Sequence, residues 1–380
     1  MINRSRLIKL TQKVLSIDSQ NPPGNEVAIA DFVVKDMRDI GLDVRVVSYA
    51  KDRPNVLATW RGSLPRKQAA SQALLITPHT DTVPVGKGWK FDPFGKDISG
   101  GKIYGRGASD DKGNLACAME ALRSLREEGY LPKKDIVLAA TADEETGSHM
   151  GIKPLLNKGV LRPGLALVLD SVDFDTVIAQ KGLFHSRIRV FGKKAHGATN
   201  WLGVNAIELA AKIIRKLKKH ECRFRKHALL NHPTVNIGTI RGGDKVNMVA
   251  DFCEFSVDIR YMPGTDPKKV VKQVQDIVDS VAEKSELVID DLQLPYEIDR
   301  DDAYVAAFLR AAKKCGQKAR LQGSDGATVI SFFQHYNIPA FATGFGKSGT
   351  LHADDEYAEV KTLCNGARVL EEFIRDYDQI

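Results

Sequence analysis

Residues 73–81 read ALLITPHTD, residues 136–145 read IVLAATADEE, and residues 165–170 read LALVLD. Each is a short continuous apolar run that stops abruptly at histidine or carboxylate. Runs of this kind, alternating with amphipathic helical stretches, predict a largely parallel sheet buried on both faces. Ligands of such sheets bind outside the carboxyl ends of the strands. His79, Asp81, Glu144, Glu145 and Asp170 are therefore expected at one edge, facing one crevice.

Working outward, helical periodicity covers 5–16, 27–40 and about 113–128. The style changes near residue 182. FHSRIRVF, residues 184–191, alternates polar and apolar as a half-buried strand does. A helix over 203–219, strands over 234–240 and 252–261, and a helix over 267–284 follow. That order resembles a ferredoxin-like module. Helix and strand alternation resumes with 302–315, 338–343 and 360–375. The expected organisation is an α/β domain, residues 1–181 and 294–380, interrupted by a smaller α+β domain at 182–293.

The chain has 380 residues, 43% hydrophobic and 27% charged, which suits two globular domains and excludes a disordered or collagen-like chain. No apolar run reaches the ~18–20 residues of a membrane helix. The N-terminal stretch reads as a helix and not as a signal peptide. Five cysteines lie far apart with no C-x-x-C pair, so a disulfide framework is not expected and a cytoplasmic setting is. Lys plus Arg total 55 against 48 Asp plus Glu, a net +7 that favours anionic substrates. The basic stretch RKLKKHECRFRKH, residues 215–227, raises nucleic-acid binding as a rival. Only Phe224 could stack on a base there, and cations suit a helix C-terminus, so no nucleic-acid partner is expected.

The polar clusters have spacings that suit a metal. His79 and Asp81, two apart, point the same way in extended chain. A carboxylate there can fix the tautomer of a ligating imidazole. Glu144 and Glu145 are adjacent and on a strand would point to opposite sides, one towards metal and one towards a water. YGRGASDDKG, residues 104–113, places glycines around Asp110-Asp111, which suits a tight turn opening a helix. GFGKSGTLHADD, residues 344–355, is a Gly-rich loop that delivers His352 after another apolar run. Singly, these clusters read as a surface histidine, a solvated acidic loop and a helix N-cap. Together, after successive buried runs, they read as one site.

HTDTVP, GWKFDPF, YGRGASDDKG, DEETG, Asp170, AHGATNWLGVNAI, VNMVADFCEFSVDIR and GTLHADDEY occur in that order. The series resembles the two-zinc aminoacylase/carboxypeptidase family, which includes acetylornithine deacetylase, succinyl-diaminopimelate desuccinylase, glutamate carboxypeptidase and aminoacylase. The resemblance spans nearly the whole chain. It implies a zinc-peptidase-like three-layer catalytic domain with an inserted dimerisation or lid domain, and a homodimer. It implies that His79 and Asp170 bind one Zn²⁺, that Glu145 and His352 bind the other, and that Asp110 bridges both. Co²⁺ or Mn²⁺ could substitute. It implies a cis bond between Asp110 and Asp111, Asp81 as the residue orienting His79, and Glu144 as general base. His196 matches a histidine that reaches across a dimer, and Asn247 and Arg260 match positions near substrate. Asp110, Glu145, Asp170 and a bridging hydroxide would offset two Zn²⁺, which lowers the cost of burying the cluster.

The implied reaction is cleavage of an amide bond of a small anionic N-acyl amino acid, with zinc carboxypeptidase or dipeptidase activity as the alternative. Two features pull apart. Deacylases of the family tend to have Glu where this chain has Asp170, which leans towards a peptidase. The DIR motif and the GSDGATV segment, residues 323–329, lean towards the deacetylase and desuccinylase branch. The segment lacks the Thr and the Arg of the desuccinylase pattern, so strict succinyl-diaminopimelate specificity is not expected.

Overall fold

The computed structural model describes residues 1–95, 97–219 and 226–380. The chain divides into two compact units. One comprises Met1–Ile178, Ile298–Gln322 and Phe332–Ile380; the other comprises Ala179–Glu297 and Gly323–Ser331.

The first unit is built on a mixed sheet. Its strand order is Asp43–Ser48, Pro54–Trp60, Ile136–Ala140, Leu74–Thr77, Leu165–Leu169, Ala340–Thr343 and Asp175–Gln180. The four strands from Ile136–Ala140 to Ala340–Thr343 are parallel, as the apolar runs predict. The flanks are antiparallel, a departure from the largely parallel reading. Strand Asp43–Ser48 is mostly exposed and carries no continuous apolar run, which is why the hairpin with Pro54–Trp60 left little trace in the sequence.

All residues of Leu74–Thr77, Leu165–Leu169 and Ala340–Thr343 are buried, so both faces of the sheet are covered and the unit is three-layered. Burial of each such Leu or Ile contributes about 1.5–3 kcal/mol. The helix Lys112–Glu127 packs against the helices Arg4–Leu15 and Val360–Tyr377. It is buried along almost its entire length.

The second unit has an all-antiparallel sheet in the order Thr234–Gly242, Phe252–Tyr261, Gly182–Phe191, Ser285–Gln293. With helices Ala206–Lys219 and Pro267–Asp279 this is the ferredoxin-like arrangement. Ala206, Ala210, Ile213 and Leu217 line one helix face, and Val270, Val274 and Val278 the other, all buried against Phe184, Ile188, Phe255 and Val257. The i, i+3, i+4 and i+2 spacings are those of amphipathic helices and half-buried strands.

The second unit begins three residues before the expected boundary and closes at Glu297. The segment Gly323–Ser331 joins it as well. There Asp325 pairs at 2.9 Å with the buried Lys181 and accepts from Asn231. The Thr328 backbone N–H donates to Gln180 Oε1 at 2.9 Å and its hydroxyl at 2.8 Å. These contacts anchor the GSDGATV segment to the strand end at residues 180–181. Of the basic stretch 215–227, residues 220–225 lie outside the described residues. Lys216 donates to the Ser280 hydroxyl and Lys218 to the Val235 carbonyl.

Candidate metal centre

The strand Leu74–Thr77 delivers His79, which is 2% exposed. Its Nδ1 lies 2.9 Å from the backbone carbonyl of Asp81 and 3.4 Å from the Asp81 carboxylate. The shorter contact fixes the ring, so Nδ1–H donates to the carbonyl. Asp81 thus faces Nδ1 with its backbone carbonyl and, farther off, with the carboxylate that the spacing suggested. That carboxylate is engaged elsewhere: it accepts from the Glu144 N–H at 3.0 Å, the Glu145 N–H at 3.1 Å and the Asn21 amide at 2.8 Å.

Glu144 and Glu145 sit in a turn after Ile136–Ala140, not on a strand with opposed side chains. Asp143 stops the strand by adopting φ +68°. Its carboxylate is tied to Arg53 at 3.0 Å, to the Thr146 hydroxyl and to the Met150 N–H, and Arg53 in turn pairs with Glu26 at 2.8 Å.

Asp110 follows a loop held by a single buried acid, Glu356. One oxygen of Glu356 accepts from the N–H groups of Ser109 (2.8 Å) and Asp110 (3.1 Å), the other from Arg106 (2.7 Å) and the Gly107 N–H (3.2 Å). The Asp110–Asp111 peptide is cis. The Asp111 carboxylate turns inward, accepting from the His79 N–H at 2.9 Å and the Asn114 amide at 2.6 Å. Glu356, Asp111, Asn114 and Asn21 were not singled out in the sequence. Glu356 and Asp111 receive N–H groups from other segments, Asn114 accepts the Phe345 N–H while donating to Asp111, and Asn21 donates to Asp81; no local spacing records these pairings.

His352 comes from the loop after Ala340–Thr343 and has φ +59°. This loop can lie on the Asp110 loop because residue 346 is glycine: a Cβ there would fall 2.5 Å from the Ser109 carbonyl oxygen. The Lys347 N–H donates to the Ser109 hydroxyl at 2.7 Å.

These elements converge on Asp110. His79 Nε2 is 3.0 Å from one carboxylate oxygen, and His352 Nε2 is 3.0 Å from the other. His352 Nε2 is also 3.3 Å from Glu145 Oε1, a buried oxygen without a hydrogen bond. With Nδ1–H spent on a carbonyl, neutral His79 would direct its Nε2 lone pair at a carboxylate oxygen. A cation must sit between them, either a proton or a metal ion. The electrostatics agree. Burial opposes it, yet Asp110 holds His79 well above the ordinary imidazole range, while Asp110 and Glu145 push His352 up to about 10. Burial and the Asp110 charge push Asp170 up to about 7. Burial and the Asp170 charge raise Glu144 well above the usual carboxylate range.

Two imidazoles and three carboxylates, crowded and starved of positive charge, fit borderline divalent ions such as Zn²⁺. Donor atoms of His79, Asp110 and Glu145 lie within 4.8 Å of one another. The two oxygens of Asp110 face different histidines, as a bridging carboxylate between two ions requires.

His196, Asn247 and Arg260 belong to the second unit. His196 is exposed, and its Nδ1 accepts the Ala198 N–H at 3.1 Å. It pairs in a backbone bridge with Met248, and the Gly197 N–H donates to the Asn247 carbonyl at 2.8 Å, so His196 and Asn247 are brought side by side. Arg260 lies on Phe252–Tyr261, its Nε 2.8 Å from the Asp258 carboxylate.

The profile of peptidase family M20/M25/M40 matches residues 75–376. A tripeptidase from Staphylococcus aureus is 26% identical, with both chains covered at 100% and a TM-score of 0.83. Aminopeptidase PepT from Bacillus cereus is 23% identical over 99% of both chains, also at 0.83. An M20 family metallo-carboxypeptidase from Sulfolobus solfataricus is 20% identical over 98% of this chain and 99% of its own, at 0.80.

Proposed function

Since the chain belongs to peptidase family M20/M25/M40, we propose that it is a dinuclear metal-dependent hydrolase that cleaves an amide bond of a short peptide. The observation that carries the reading is Asp110, whose two oxygens face His79 on one side and His352 with Glu145 on the other. The 26% identity to a tripeptidase over the full length, and an Asp at position 170, support a peptide substrate.

In this reading His79, Asp110 and Asp170 would hold one divalent ion, and Asp110, Glu145 and His352 would hold the other. Zn²⁺ suits the donor set. Bound there, the ions supply Lewis-acid chemistry, polarising the scissile carbonyl and making a water more acidic. Glu144 takes a proton from that water on its carboxylate and returns it to the leaving amine nitrogen. Its neighbour Glu145 is committed to metal, and Asp81 clamps both backbone N–H groups so that the two side chains keep separate tasks. His196 and Asn247 contribute donors for the tetrahedral oxyanion, and Arg260 recognises a substrate carboxylate. The second unit assembles a homodimer in which His196 serves the partner's site.

A second reading, hydrolysis of an N-acyl amino acid, is favoured by the GSDGATV segment and the DIR motif. A substrate panel separates the two. Tripeptides, dipeptides, and N-acetyl and N-succinyl amino acids are assayed with Zn²⁺, Co²⁺ and Mn²⁺. Turnover of peptides above acylated amino acids is expected; the reverse order selects the deacylase, and no amide hydrolysis by any metal form defeats both.

A further inference from the structure

The first unit has a second concavity, at the other ends of the strands that carry the metal centre. It measures about 370 Å³ and is lined where Leu74–Thr77 and Ile136–Ala140 begin, whereas His79 and Glu145 follow their ends. Nothing in the proposed hydrolysis uses it.

Its lining contains four arginines, Arg45, Arg61, Arg66 and Arg162, against two carboxylates, Asp43 and Asp135, leaving two positive charges uncompensated. Three of the guanidiniums already have partners. Arg61 bridges Asp43 at 2.5 Å and Asp135 at 3.3 Å, and Arg66 meets Asp135 at 2.5 Å. Asp135 is itself buried and also accepts the Gly62 N–H at 2.8 Å. Arg162 donates to the Leu161 carbonyl at 2.7 Å and lies 4.6 Å over the Tyr336 ring. Arg45 differs: it is exposed on strand Asp43–Ser48, and no carboxylate among the described residues is in ion-pair contact with it. The floor is apolar, formed by Leu57, Leu75, Val137 and Leu161.

We propose that this cavity binds a small organic dianion, a phosphate monoester or a dicarboxylate with a short aliphatic body. The guanidiniums of Arg66, Arg162 and Arg45 take the charged group, and the floor takes the body. The volume falls within the ~300–1,000 Å³ of small-ligand sites. Guanidinium forks match both phosphate and carboxylate. A charge of two on the ligand offsets the charge left over in the lining.

The test is calorimetric titration of the metal-loaded full chain with butyl phosphate, succinate, inorganic phosphate and, as a neutral control, butanol. Saturable binding of at least one organic dianion is expected, with none of butanol. Butyl phosphate alone identifies a phosphate ester as the ligand class, and succinate alone a dicarboxylate. If it is the phosphate ester, it should bind about tenfold tighter than inorganic phosphate through contact with the floor. Arg45→Gln should weaken binding by about tenfold or more. Because Arg45 makes no ion pair with a carboxylate among the described residues, the variant's unfolding temperature without ligand should stay close to that of wild type. A double variant, Arg45→Gln with Arg162→Gln, should abolish binding. Three results overturn the proposal: no saturation by either dianion at ~10 mM, equal binding of butyl and inorganic phosphate with none of succinate, or undiminished binding to Arg45→Gln. The last would place the anion elsewhere, the metal centre included.

Discussion

Glu356 offers the most direct test of how the centre is built. Its side chain is 0% exposed and takes four donors: three backbone N–H groups, from Gly107, Ser109 and Asp110, and one from the nearly buried Arg106. In Glu356→Gln one oxygen remains for two donors. The new NH₂ group faces the other two, and the Arg106 charge loses its counter-ion. Breaking a buried pair in this way costs about 3–5 kcal/mol. The loss should lower the urea midpoint of the metal-free protein. Since the Asp110 N–H is among the orphaned donors, the carboxylate between the histidines loosens too. Removal of outer-shell support weakens metal binding by about 10–100-fold, readable in a competitive zinc titration. Glu359→Gln, at a half-exposed neighbour, is the control and should stay within about 0.5 kcal/mol of wild type. If Glu356→Gln unfolds with the wild-type midpoint and binds zinc as tightly, the loop does not depend on this acid and the reasoning fails.

Glu144→Gln should retain metal by elemental analysis yet lose about 10²–10⁴-fold in kcat; loss of metal with rate would mean that Glu144 and Glu145 have been interchanged. Mixed dimers of His196→Ala with Glu144→Gln subunits should recover activity, and no recovery after verified subunit exchange would argue against a histidine donated in trans. Amidating the substrate carboxylate should cost ~10–150-fold in kcat/KM through the lost Arg260 fork. Arg260→Ala should turn over acid and amide alike, and equal turnover of the two by wild type would remove carboxylate recognition from the scheme.

The parallel heart of the sheet was legible because burial on both faces leaves continuous apolar runs such as LLIT and LALVL. The second unit was legible for the opposite reason: Phe252–Tyr261 alternates buried and less buried residues along its whole length. The hairpin Asp43–Trp60 was not legible, since one of its strands is mostly exposed and signals nothing by hydropathy. His79, Glu145 and Asp170 stood out because each follows an apolar run, and Asp110 and His352 because Gly-rich turns carry them. The turn at Glu144 was misread as strand because its cause, Asp143 at positive φ held by Arg53, lies in a contact ninety residues apart in sequence.

The supporting acids follow one logic. Three of the segments that carry candidate ligands are clamped by a carboxylate that another segment supplies. Asp81 takes the N–H groups of Glu144 and Glu145, Glu356 takes those of the Asp110 loop, and Asp111 takes that of His79. Backbone N–H groups are strong donors that must be satisfied when buried. Using them as anchors fixes where a ligand's Cα lies without using the ligand's own side chain. The side chains of His79, Asp110, Glu145 and His352 are thus left facing one another. The backbone of the candidate centre is held by hydrogen bonds to its N–H groups.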